Sequence, residues 1–233
     1  MTMARRILSF VIPLCLFPAL VAFGVCFLGD RKYVFISLMG AVLTLLLFFC
    51  GISGKSNTAG ADYIRRRIAS RRLVLTALLT ALTAVGRLIP FFKPITAITT
   101  LTALYLGRES GFFVGAMAAL FSNFFFGQGP WTPFQMLAWG LIGYFAGWIA
   151  PLLRRYPAAL YGYGVLSGVF FSFLMDVWTV LWSGGFSLSL YLAALVTAIP
   201  HTILYAVSNV LFLFWFRKPF AEKLTRIRRK YGI

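Results

Sequence analysis

Acidic and metal-binding side chains are scarce: the chain has five Asp and Glu, one His and three Cys among 233 residues. So few carboxylates make a paired acid–base centre hard to assemble, and one histidine excludes a His-rich metal site. Cys15, Cys26 and Cys50 lie in apolar segments without CxxC or Cys/His spacing, and read as small buried apolar residues. No G-x-S-x-G elbow is present. Gly54-Lys55-Ser56 looks like the tail of a phosphate-binding loop, but that motif needs a glycine at position 49, which is Phe. The chain therefore carries no nucleotide-hydrolysing motif. Charge of any kind is thin at 12% of residues, about half the share in a soluble domain.

Apolar residues take up the difference. They make up 61% of the chain, too much for a water-soluble core of this length. A membrane helix needs about 20 apolar residues to cross a core about 30 Å thick. Eight such runs occur, at 7–28, 33–53, 73–89, 94–107, 110–127, 134–153, 159–182 and 187–216. The run 94–107 is short and reads as tilted or re-entrant, and the last is long, with Pro200 near its middle suggesting tilt or a kink. Although Arg5 and Arg6 precede the first run, it is long and lacks a small-residue cleavage site, so it reads as a span rather than a signal peptide.

The net charge of +17 belongs to this membrane pattern and not to nucleic acid, because the Lys and Arg sit between long apolar runs. With both termini inside, eighteen of the 22 Lys and Arg fall on the cytoplasmic side. Only Arg31, Lys32, Arg87 and Lys93 remain outside. An even number of spans and this asymmetry predict a multi-pass protein of the plasma membrane with cytoplasmic ends. The expected organisation is a two-helix unit over 1–53, a basic linker over 54–72, a six-helix core over 73–217 and a basic tail over 218–233.

Ionisable groups inside a span are costly and mark candidate sites. Asp176 lies about six residues, or roughly 9 Å, from the outer end of its helix. Arg87 is near the outer end of the third run, so the geometry allows an Arg87–Asp176 ion pair, either tying helices together or facing a ligand. His201 follows Pro200, and its simplest role is a bond to the carbonyl that the proline leaves free. Asn209 reads as a helix–helix hydrogen bond.

The densest polar and aromatic cluster is Asn123–Trp139. Gly127, Gly129, Pro130 and Pro133 build a tight outer turn. An interfacial aromatic belt explains Trp131 and Trp139, but not Asn123, Gln128 and Gln135 around the same turn. Asn123, Gln128, Trp131, Gln135, Trp139 and Asp176 are therefore the candidate pocket, with Arg87 and Tyr191 beside them. Small residues at four-residue spacing, Ala77 and Ala81, then Gly111, Gly115 and Ala119, allow close helix approach.

The Ala77-Leu-Leu-Thr-Ala81 pattern, the Gly107–Gly115 turn and the stretch Gly127-Gln-Gly-Pro-Trp-Thr-Pro-Phe-Gln-Met136 carry a resemblance. Residues 73–216 resemble the substrate-binding S components of energy-coupling factor (ECF) vitamin transporters, with the Gly127–Met136 stretch similar to the cobalamin subgroup. The resemblance implies an all-α six-helix membrane bundle that captures a vitamin, with cobalamin expected, at the outer face. It also implies docking through Ala77 and Ala81 onto a transmembrane coupling subunit driven by two ATPases, no cofactor, no catalysis, and toppling of the bundle to deliver cargo. The first two helices have no counterpart in that pattern. Two other readings stay open: a membrane enzyme acting on lipid or isoprenoid groups through Asp176 or His201, and a scaffold without ligand.

Overall fold

The computed structural model describes residues 3–27, 33–52, 59–90, 93–183 and 186–232. Every described element is a helix. The first pass is α1 (Met3–Val11) and α2 (Phe17–Phe27), joined through a π-helical turn at Ile12–Leu16 that holds Pro13. There follow α3 (Tyr33–Ile52), α4 (Ala59–Gly86), α5 (Ile95–Leu106), α6 (Arg108–Phe126) and α7 (Trp131–Trp148). The short α8 (Ala150–Arg155) precedes α9 (Pro157–Trp182) and α10 (Leu188–Tyr231). The Gly54-Lys55-Ser56 fragment lies outside the described residues. From Ala59 onward the basic stretch is helical and runs without a break into the core as α4.

Among the described residues, six helices are long and apolar enough to cross a membrane. The chain is thus an all-α membrane protein. Of the eight expected spans, the two that do not qualify are α5 and α7. With 12 residues, α5 is only about 18 Å long. The other, α7, carries Gln135, Thr132, Tyr144 and three glycines. These two helices and α6 are buried along most of their length, whereas α4, α9 and α10 turn large apolar side chains outward. The polar residues of the middle helices are therefore shielded by neighbours, as lipid requires.

Glycines bring α6 and α7 into backbone contact. A Cβ on Gly115 would lie 2.2 Å from the Trp139 carbonyl oxygen, and one on Gly111 2.7 Å from the Gly143 oxygen. The small-residue row of α6 thus meets a matching row on α7.

The N-terminal helices pack against this pair. Phe48 lies 4.7 Å from Phe113, and Phe17 5.7 Å from Phe112, between ring centroids. At the arginine-rich end, Tyr144 donates to the Ser9 carbonyl at 2.7 Å, and Arg108 donates to Ser9 Oγ at 2.9 Å. Arg108 also lies over the Phe10 ring and pairs with Glu109 at 3.1 Å.

Just before α5, Lys93 N–H donates to Ser208 Oγ (3.0 Å), 20 residues into α10. A recess of ≈ 310 Å³ opens between α9 and α10.

Candidate functional site

The turn after α6 is held by its own side chains. Gly127 has φ 93°, a left-handed conformation that favours glycine. Gly129 lies under the Trp131 indole, where a Cβ would come within 2.3 Å of the ring. Gln128 donates to the Leu120 carbonyl (2.9 Å) and accepts from Thr132 (3.1 Å). Asn123 donates to Thr132 Oγ1 (2.8 Å) and to Gln135 Oε1 (3.0 Å). Gln128 is thereby spent on the turn.

Arg87, 6% exposed, closes the network from α4's side. It donates to Ser122 Oγ (2.6 Å), Asn123 Oδ1 (2.7 Å) and Gln135 Oε1 (3.2 Å). Its guanidinium lies 4.8 Å from the Trp139 ring and 5.1 Å from Phe126. The Arg87–Asp176 ion pair that the sequence allows does not form among the described residues. The polar ends of α6 and α7 reach Arg87 first, so its three acceptors are neutral and no carboxylate balances its charge. Arg87 Nε has no partner. The Lys93 ammonium sits over the same Phe126 ring at 5.4 Å, and burial, then the nearby Arg87 charge, hold it below the ordinary lysine pKa. Among the described residues, no carboxylate pairs with either of these two cations.

Asp176 lies instead in a cavity of ≈ 310 Å³ between α9 and α10, lined by Phe171, Ser172, Thr197, His201 and Tyr205 among others. It is 8% exposed and its Oδ2 has no hydrogen-bond partner. His201 is exposed at this cavity, with its ring 5.5 Å from Tyr205, and the expected histidine–carbonyl bond does not form. Asn209 does make the helix–helix bond expected of it, donating to the Gly164 carbonyl at 3.0 Å.

Aromatic rings connect the two parts. Trp139, under Arg87, stacks on Phe171 (4.5 Å, 22°), and Phe171 lies 5.1 Å from Tyr205. The Trp139 indole N–H is buried without an acceptor. Trp131 belongs to a different row, edge-on to Trp178 at 5.8 Å. Tyr191 stands apart on the first turns of α10, donating to the Phe173 carbonyl at 3.4 Å on the exposed side.

Of the expected residues, then, Arg87, Asn123, Gln135 and Trp139 form one cluster. Asp176 joins it only through the aromatic column, and Gln128, Trp131 and Tyr191 lie at its margins. Lys93, Phe126, Phe171 and Tyr205 enter beside them. Lys93 has a signal in the sequence, a lone cation before Pro94; the aromatic residues have none among 25 Phe and 10 Tyr. No group of three or more His, Cys, Asp or Glu that could hold a metal occurs among the described residues.

On α4, Ala77 and Ala81 are exposed along the side of the bundle, in line with exposed Val74, Leu78 and Val85.

Neither curated proteins nor solved structures give a significant match. A family model does: ECF-type riboflavin transporter, S component, over residues 67–218, most of the chain and the whole of the recess and its walls. This chain belongs to that family of S components of ECF-type transporters.

Proposed function

We propose that the chain is the substrate-capturing subunit of an ECF-type importer, and that its cargo is riboflavin or a close flavin, bound in the outer-half recess. The observation that carries this reading is the Arg87–Trp139 corner: a buried, uncompensated guanidinium beside an aromatic column that continues to a cavity with an unpartnered carboxylate. A flavin offers what such a site lacks. Its ring carbonyls are acceptors for Arg87 Nε and Lys93. Its imide N–H and ribityl hydroxyls are donors for Asp176. Its tricyclic plane matches aromatic faces such as Tyr205.

The cobalamin expectation drawn from the Gly127–Met136 stretch is the weaker of the two. The family description names riboflavin. A corrin with its nucleotide arm is several times larger than a flavin, and a cavity of ≈ 310 Å³ sits at the small end of ligand sites. Transport then requires a membrane coupling subunit and two ATPases, since this chain carries no nucleotide-binding motif. The exposed Ala77/Ala81 stripe is the docking face in this reading, with both termini cytoplasmic.

The test is titration of the purified chain in detergent with riboflavin, read by flavin fluorescence quenching, with cobalamin titrated in parallel by absorbance. Nanomolar riboflavin binding without ATP supports the proposal. Cobalamin binding with no response to riboflavin restores the alternative cargo. Folded protein that binds neither removes the capture reading.

A further inference from the structure

The cavity between α9 and α10 has two unlike ends. The two helices run antiparallel in a register marked by Thr202, which donates to Ser172 Oγ at 2.6 Å, and by Gly168, whose Cβ position lies 3.0 Å from the Ala206 nitrogen. Phe171 and Tyr205 therefore stand at one level, 5.1 Å apart between ring centroids, on the side where Trp139 stacks on Phe171. Thr179 and Thr197 each lie eight residues nearer the α9–α10 connection, about 12 Å away along their helices. Asp176 and His201 fall between these ends.

The threonine end offers hydrogen-bond acceptors. Thr179 donates to the Met175 carbonyl at 3.0 Å, and Thr197 donates to the Ala194 carbonyl at 2.9 Å. Both hydroxyl protons are thus spent within their own helices, and the oxygens keep lone pairs. Asp176, 8% exposed, adds an Oδ2 with no hydrogen-bond partner. Among the described residues, no Lys or Arg lines the cavity. A buried acceptor left without a donor costs free energy until a ligand supplies one. The opposite end offers aromatic faces instead.

The two parts of a flavin match these ends in one sense only. Its ring carries a single imide N–H, set between two carbonyls that would bring acceptors up against the Asp176 carboxylate. Its ribityl arm carries a file of hydroxyl donors and no fixed acceptor-only group. Resting on the flavin reading above, we propose that Asp176 recognises the polyol arm and so fixes the orientation of the cargo. The ring lies against Phe171 and Tyr205, and the arm runs past Asp176 towards Thr179 and Thr197. Asp176 is then the residue that separates a ring bearing a hydroxylated arm from the ring alone.

The test titrates the full chain in detergent with riboflavin and with lumiflavin, in which a methyl group replaces the arm, both read by fluorescence quenching. The parent should bind riboflavin at least about tenfold more tightly than lumiflavin, as expected for hydrogen bonds to a charged acceptor. D176N should weaken riboflavin about tenfold and change lumiflavin less than about twofold. T197V, which removes one acceptor at nearly constant shape, should likewise cost riboflavin severalfold and spare lumiflavin. Equal losses for both ligands in D176N overturn the proposal, because a ring contact or a structural role would produce them. So does unchanged riboflavin affinity in D176N. Lumiflavin bound by the parent as tightly as riboflavin overturns it without any variant and leaves the flavin cargo standing. No riboflavin binding by folded parent removes the cargo reading and this assignment together. Unchanged helicity by circular dichroism qualifies each variant.

Discussion

Replacing Gly115 with alanine tests whether the α6–α7 contact builds the site. The new methyl would start 2.2 Å from the Trp139 carbonyl oxygen and 3.0 Å from the Gly140 nitrogen. Both are backbone atoms, so no side-chain rotation relieves the clash. Reaching an ordinary carbon–oxygen contact of about 3.4 Å means separating the helices by roughly 1 Å over that turn. Overpacking of this kind costs about 1–3 kcal/mol. Trp139 sits at the contact, under Arg87 and against Phe171, so its displacement opens the stacks on both sides. Gly115→Ala is therefore expected to lower the midpoint of unfolding in detergent and to weaken ligand binding by tenfold or more. Gly162→Ala on α9 is the matched control, because a Cβ there meets nothing within 4 Å. In a helix interior it should be neutral or stabilising by up to about 1 kcal/mol. If Gly115→Ala unfolds and binds like the parent while Gly162→Ala behaves as stated, the close approach of α6 and α7 does not support the site.

Three further outcomes are expected. Arg87→Lys keeps the charge but loses the fork that serves three acceptors at once, and should weaken ligand binding by about tenfold or more while Asp176→Asn leaves helicity unchanged; full affinity in Arg87→Lys, measured by the same titration, would count against Arg87 as a ligand contact. Lys93 has a folded pKa below the usual 10.5, so its charge is lost as pH rises through that lowered value; ligand affinity should fall in the alkaline range below 10.5, an effect absent in Lys93→Met, and protein stability should rise over the same interval because the unfolded chain still binds the proton. Ala77→Leu with Ala81→Leu should leave riboflavin binding intact and abolish uptake in cells that supply the coupling subunit and ATPases; normal uptake would remove the docking role of this stripe.

The helical architecture is legible in the sequence because lipid leaves few options: long apolar runs and a scarcity of acid residues admit helices or a closed barrel, and the run lengths choose helices. Arg87, Asn123, Gln135 and Trp139 are legible as a group because polar residues bracket a glycine-rich turn between apolar runs. Their wiring is less so. Arg87 and Asp176 share a depth, and opposite charge at equal depth suggests a pair. The rotation of α4 instead aims Arg87 at the ends of α6 and α7, and rotation about a helix axis leaves little trace when apolar residues surround it on all sides. The shortness of α5 is visible in the sequence. The contact of Lys93 with Ser208, 20 residues into α10, appears only in three dimensions.

At 44 residues, α10 is about 66 Å long, and it meets α4 and the segment that follows α4 at two levels. Near the recess, the connection that leaves α4 is pinned by the Lys93–Ser208 bonds. At the far end, Arg71 of α4 donates to the Tyr231 carbonyl (3.2 Å) and lies over the Tyr231 ring. One helix, α10, therefore touches the chain on both sides of the apolar part of α4. The same helix that lines the cavity around Asp176 with His201 and Tyr205 thus ends against Arg71 at the arginine-rich end.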